Sequence, residues 1–159
     1  MTAKERQHKA WQEALTSAFV AGCQAASATT PTPMVVGTPR DLMGSLMGTG
    51  GGGFDPEEPT YFVAGGVCGF AWVQFYKDRR FMNWLTGKVA SKHPAAAVIG
   101  DYRAEVSPPR ADHYQGGISM SVMGYGQSMQ TKQAFASAFA RKLGELVPTV
   151  TVYSQSRMD

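Results

Sequence analysis

The stretch from Gly117 to Tyr153 constrains this chain more than any other, because its hydrophobic period changes twice. Ile118, Met120 and Val122 alternate with Ser119 and Ser121, the two-residue period of a half-buried strand. Gly124, Gly126 and Ser128 punctuate the run, after which Phe135, Phe139, Leu143 and Leu146 recur at helical spacing. Beyond Pro148, Val150 and Val152 alternate with Thr149, Thr151 and Tyr153. Strand, long amphipathic helix and strand in one run predict an α+β fold. An antiparallel sheet is expected, with the helix, over 128–147, packed on one face.

The rest of the chain is organised around that unit. Tyr61 to Ala64, Gly65-Gly66 and Val67 to Tyr76 read as a hairpin with a two-glycine turn. Its second strand is apolar on both faces, with Val67, Ala71, Val73 and Phe75 on one and Cys68, Phe70, Trp72 and Tyr76 on the other. That is the pattern of a central strand. Phe81, Trp84 and Leu85 predict a short helix, Ala95 to Ile99 a strand, and Pro108-Pro109 a turn. At the N-terminus, residues 3 to about 23 form a helical pattern with Trp11, Leu15, Ala18, Phe19 and Gly22 on one face. It fades through alanine, serine and threonine until Pro31 and Pro33 forbid helix, and Met34 to Val36 fits a short strand. Residues 37–59 are irregular and include four consecutive glycines, Gly50 to Gly53. A structureless loop this long is uncommon inside a compact domain and is usually functional or disordered, so the segment reads either as a free linker or as a loop ordered against a neighbour. Three segments result: an N-terminal helix in 1–28, a Pro/Gly-rich extended arm in 29–58 and an α+β domain in 59–159.

Composition excludes several classes of function. Charged residues make up 17% of the 159 residues, below ordinary globular usage, beside 18 glycines and 9 methionines. Low charge with much glycine fits a surface covered by a partner or by copies of the same chain. The net charge of +3 is small and scattered, unlike the footprint of a tight phosphate binder. Cys23 and Cys68 give neither a disulfide framework nor a metal-ligand spacing, so no metal and no cofactor are expected. There is no apolar run of 18 residues and no signal-peptide pattern at residues 1–28, which predicts a cytoplasmic protein without a membrane partner.

Several motifs offer chemistry. Cys68-Gly69-Phe70-Ala71-Trp72-Val73-Gln74-Phe75 resembles the central motif of RNA-recognition domains. That motif sets two aromatic rings side by side on one strand face, where each stacks a base. Here the rings are Phe70 and Trp72. Cys68 replaces the basic first residue, however, and burial of both rings beneath a helix is the weightier alternative, since aromatics dominate cores. Gly124 to Ser128, leading to Lys132, resembles the start of the last helix of double-stranded-RNA-binding domains, but Met129 and Gln130 stand where that family has paired lysines. Ser128 as an ordinary N-cap explains the same residues. Lys132 falls on the apolar arc of its helix and so must snorkel or find a buried partner such as a carboxylate or carbonyl. Cys68-Gly69-Phe70 is also similar to the nucleophile region of cysteine peptidoglycan hydrolases, which need a histidine base such as His93 or His113. A thiol in mid-strand fits an inert buried side chain better. Asp101, Glu105, Asp112 and His113 have no spacing that demands a metal, and no Lys-Ser/Thr follows the glycines at 48–53 to make a phosphate loop.

Gly66 to Val73, Tyr125-Gly126-Gln127-Ser128-Met129 with Lys132, and Ser156-Arg157-Met158-Asp159 together resemble a group of small bacteriophage-encoded proteins, as does Pro33 to Gly37. The likeness covers residues 33–159 and implies no catalytic residue. It implies a phage origin, with residence in the host cytoplasm or the virion. The function expected is non-enzymatic binding or assembly with a protein partner or with itself. Trp11, Leu15 and Phe19 are its candidate contact residues. Single-stranded nucleic-acid binding through Phe70, Trp72 and Lys132, and hydrolysis by Cys68, are the alternatives.

Overall fold

A computed structural model describes residues 1–48, 52–87 and 94–159. The elements in chain order are α1 (Ala3–Ala28), β1 (Met34–Val36), α2 (Leu42–Met47), β2 (Tyr61–Val63), β3 (Gly69–Lys77), α3 (Arg79–Leu85), α4 (Pro94–Asp101), β4 (Arg110–Ala111), β5 (Ile118–Ser121), α5 (Met129–Leu146) and β6 (Val150–Met158). The fold is α+β. Four strands form one antiparallel sheet in the order β4-β5-β3-β6, with β3 central as its two-sided apolar pattern predicts. From β3 onward the chain runs strand, helices, strand, strand, helix, strand. That is a split βαβ connectivity, in which each helical crossover returns the chain to an antiparallel sheet.

The long helix α5 lies on the sheet. Ser128 caps it by accepting from the Thr131 N–H at 3.3 Å. Phe135, Phe139 and Leu143 are fully buried against Ala71, Val73 and Phe75 of β3 and Met120 of β5. Leu146, at the far end of the same arc, is exposed. The expected helix–sheet layer is therefore present. A second helical layer crosses it, because α1 packs along α5 and against α4. A capping box fixes the start of α1: the Thr2 side chain accepts from the Glu5 N–H, and Glu5 Oε2 accepts from the Thr2 N–H. The helix runs to Ala28, five residues beyond the point where its amphipathic pattern fades, since alanine-rich sequence continues a helix at little cost.

Three expectations are corrected. Tyr61 to Val63 does not pair with the strand that follows it. It pairs antiparallel with β1 in register Met34↔Val63, and Gly65-Gly66 carries the chain away to β3 instead of closing a hairpin. Gly66 has φ +70°, and a Cβ there would lie 2.3 Å from the Thr32 carbonyl, so the crossing of the two chain segments requires glycine. Ala95 to Ile99 is helix, not strand; Ala95, Val98 and Ile99 are buried at helical spacing, and a proline at the first position suits a helix start. Residues 29–58 are only partly extended: they hold β1 and α2, the latter capped by Asp41 accepting from the Gly44 N–H at 2.9 Å. Gly50, Gly51 and His93, which the sequence singles out, lie outside the described residues.

Candidate functional site: an apolar arm and an open sheet face

Trp11, Leu15 and Phe19 are interior, which corrects their reading as contact residues. The Trp11 ring meets Phe81 edge-on at 5.4 Å and Trp84 at 5.5 Å. Phe19 stacks on Tyr102 at 4.3 Å and meets Phe139 edge-on at 4.9 Å. Leu15 and Phe19 have no exposed surface. An apolar helix face without a visible partner in the sequence has found one in α4 and α5 of its own chain.

Exposed apolar surface is found instead on the arm. The β1–β2 ribbon presents Val35, Val36, Tyr61 and Phe62, the last 70% exposed. In the six-residue α2 all four large apolar side chains face outward: Leu42, Met43, Leu46 and Met47, at 59–74% exposure. The arm is nevertheless tied down. Arg40 donates its N–H to the Gly53 carbonyl at 3.2 Å and Asp55 its N–H to Thr38 at 2.7 Å, while the Thr32 N–H at the arm's root bonds Gln130 Oε1 at 2.6 Å. A two-stranded ribbon with apolar side chains in water is marginal by itself. The sequence did contain a signal for these residues: four large apolar side chains at Leu42, Met43, Leu46 and Met47 are foreign to a solvated linker.

The second surface is the face of the main sheet turned away from α5. Along β3, Ala71, Val73 and Phe75 point at the helix, so Phe70, Trp72, Gln74 and Tyr76 point away. Among the described residues no helix covers them, although the loop at 112–116 buries Gln74. Phe70 is 45% exposed and Trp72 half-buried, which corrects their reading as interior filling. From β6, Arg157 lies opposite Phe70, Gln155 opposite Trp72 and Tyr153 opposite Gln74. The guanidinium of Arg157 sits 5.5 Å from the Phe70 ring centre, and the Tyr76 and Tyr153 rings are 6.1 Å apart. The sequence reading missed Tyr153 and Arg157 on this face. Strand β6 runs on to Met158, and extending the alternation four residues past Tyr153 would have placed Arg157 opposite Phe70.

Lys132 links the two sides of the sheet. It is 6% exposed, donates from Nζ to the Gly69 carbonyl at 3.3 Å and lies 5.9 Å from the Phe70 ring centre. A carbonyl is thus the partner that its place on an apolar arc demanded. Gly69 is needed for the close packing of β3 on β6 and on the start of α5, because a Cβ there would come 2.5 Å from the Arg157 carbonyl and 3.0 Å from Met129 Sδ.

Of the residues proposed for hydrolysis, the described pair Cys68 and His113 is not brought together. Cys68 precedes β3, where it bridges Ser128, and its carbonyl accepts from the Asp159 N–H. His113 belongs to the loop that caps Gln74, six residues along the strand and so about 20 Å away. His8 stacks on Trp11. In that same loop Asp112 accepts from the Gln115 and Tyr114 N–H groups, which with the Gln74 amide hold its carboxyl below the ordinary range despite partial desolvation. The four polar residues of the loop region therefore do not converge. Among the described residues no group of three or more His, Cys, Asp or Glu could hold a metal, and no described helix is long and apolar enough to cross a membrane. Tyr125, Cys23 and Tyr102 are partly buried and pack against the core. Desolvation, a hydrogen bond to the Cys23 thiol and the charge of Glu105 raise the Tyr125 phenol well above the ordinary value.

Compared with known proteins, the chain matches no family model, no curated protein and no solved structure.

Proposed function

We propose that this is a non-enzymatic assembly protein whose arm, residues 34–63, inserts its apolar side chains into a neighbouring copy. One observation carries the reading: the exposed apolar surface of the arm, most of all the outward side chains of α2 and Phe62. Exposed patches of this kind mark contact surfaces. Charge favours a second copy over an unrelated partner. Within 34–63, Arg40 stands against Asp41, Asp55, Glu57 and Glu58, a net of −3; since the whole chain is +3, the remainder carries +6. An acidic apolar arm meeting a basic body is a heterologous contact, which closes into rings or propagates. Such assembly accords with the low charge of the chain and with its resemblance to small phage-encoded proteins, resident in the host cytoplasm or virion.

Light scattering on the full chain tests this. The expected result is a mass above 17.1 kDa that falls toward it in high salt and in a Leu46→Asp, Met47→Asp variant of unchanged thermal stability. A chain that stays at 17.1 kDa across concentration and salt would overturn the proposal.

A further inference from the structure

We propose that the open face of the main sheet is a stacking platform for single-stranded nucleic acid, a site separate from the arm. Two properties of the face carry the inference. First, Phe70 and Trp72 are alternate residues of one strand and share one face, which puts their rings about 7 Å apart. That spacing suits successive bases of an extended single strand better than the tight stack of a duplex. Tyr153 continues the row diagonally onto β6, where it meets Tyr76, so the rings form a stripe across two strands rather than isolated points.

Second, the cations are placed for the backbone. Arg157 stands beside Phe70 on the next strand, and Arg110 is exposed on β4, opposite Ser119 of the same face. Lys132 is already bonded to the Gly69 carbonyl and holds the strand beneath Phe70 in place. A base on Phe70 would leave its phosphate within reach of Arg157, whose planar guanidinium both stacks and forks onto phosphate oxygens.

Two carboxylates border this face. The oxygens of Asp112 are engaged by the Gln74 amide at 3.1 Å and by the Tyr114 and Gln115 N–H groups at 2.9 Å. Asp159, exposed and two residues beyond Arg157, lies at the Phe70 end, so the row of rings and the arginines, not a uniformly basic field, select flat bases on a phosphate backbone.

The test is fluorescence anisotropy of a labelled oligothymidylate with the full-length chain at low salt, together with quenching of tryptophan emission. The expected result is binding that weakens as salt rises, with a log–log slope of about −1.4 if two arginines each replace a counterion. Arg157→Gln should reduce that slope by about half. Because Phe70 and Tyr153 are exposed, a Phe70→Ala, Tyr153→Ala variant should keep its thermal melting while losing about 5- to 150-fold in affinity for each base unstacked. Absence of binding at low salt would overturn the proposal, as would undiminished binding by the double variant or tighter binding of duplex than of single strand. If the double variant instead loses self-association while neither protein binds the oligomer, the face is a protein contact and the proposal fails. The arm variant Leu46→Asp, Met47→Asp should bind the oligomer as the parent does at equal protomer concentration, which separates this site from the assembly surface.

Discussion

Replacing Phe19 by alanine tests whether α1 is part of the core or an appendage to it. The ring has no exposed surface and touches three others: Tyr102 at 4.3 Å, Phe139 at 4.9 Å and Phe135 at 6.4 Å between ring centres. Those partners belong to the end of α4 and to α5, so a void at Phe19 opens between α1 and both helices. Deleting a buried phenyl group typically costs 3–5 kcal/mol, the upper half applying where surrounding rings cannot collapse into the space. Phe19 and the three rings it meets are held by α1, by α5 and by the residue that follows α4, so we expect about 4 kcal/mol. A chain of 159 residues loses roughly 3 °C of melting temperature per kcal/mol, giving a shift of about 12 °C. Urea denaturation followed by tryptophan emission should show the same loss as a lower midpoint with unchanged slope, at a fixed protein concentration because assembly would also shift it. The control is Val20→Ala on the same helix, 41% exposed, which should stay within about 0.5 kcal/mol of the parent. If Phe19→Ala costs no more than Val20→Ala, then α1 does not belong to the cooperative core and the packing argument is wrong.

Three further substitutions probe the sheet and its helices. Gly69→Ala should destabilise by about 1–3 kcal/mol, because the new Cβ would meet the Arg157 backbone at 2.5 Å, whereas Gly144→Ala on α5, with open space around it, should stabilise by up to about 1 kcal/mol; urea midpoints that move in the same direction for both would contradict this. Asp78 caps α3 and accepts from the Thr149 hydroxyl at 2.6 Å. Burial alone would raise its carboxyl, but the Thr149 hydroxyl, the Phe81 and Arg80 N–H groups and the Arg80 charge outweigh it and hold it below 3.8. A depressed folded value means that its contribution is present above 3.8 and is lost as pH falls through the lower folded value. Asp78→Asn should therefore be less stable than the parent near neutral pH, with the deficit closing below pH 3.8; a deficit that stays constant through the acid range would remove the carboxylate as its cause.

The sequence by itself determined the elements that are periodic and amphipathic. The runs Ile118 to Val122, Ser128 to Leu146 and Val150 to Tyr153 carry their strand or helix identity in their own spacing, because each buries one face and exposes the other. The two-sided apolar pattern of β3 likewise marked it as central, and Lys132 on an apolar arc announced a buried partner. What pairs with what was decided only in three dimensions. Tyr61 to Val63 could have folded back on the next strand; it joined Met34 to Val36 instead, an arrangement in which Gly66 passes close to Thr32. Whether an apolar face is covered depends on elements distant in sequence, and local pattern is silent about them. Thus Trp11 and Phe19 were claimed by α3, α4 and α5, whereas Phe70 and Trp72 were left without a helix because both crossovers pass over the other face of the sheet. Periodicity shows that a residue has a face to hide; only the fold supplies, or withholds, something to hide it against.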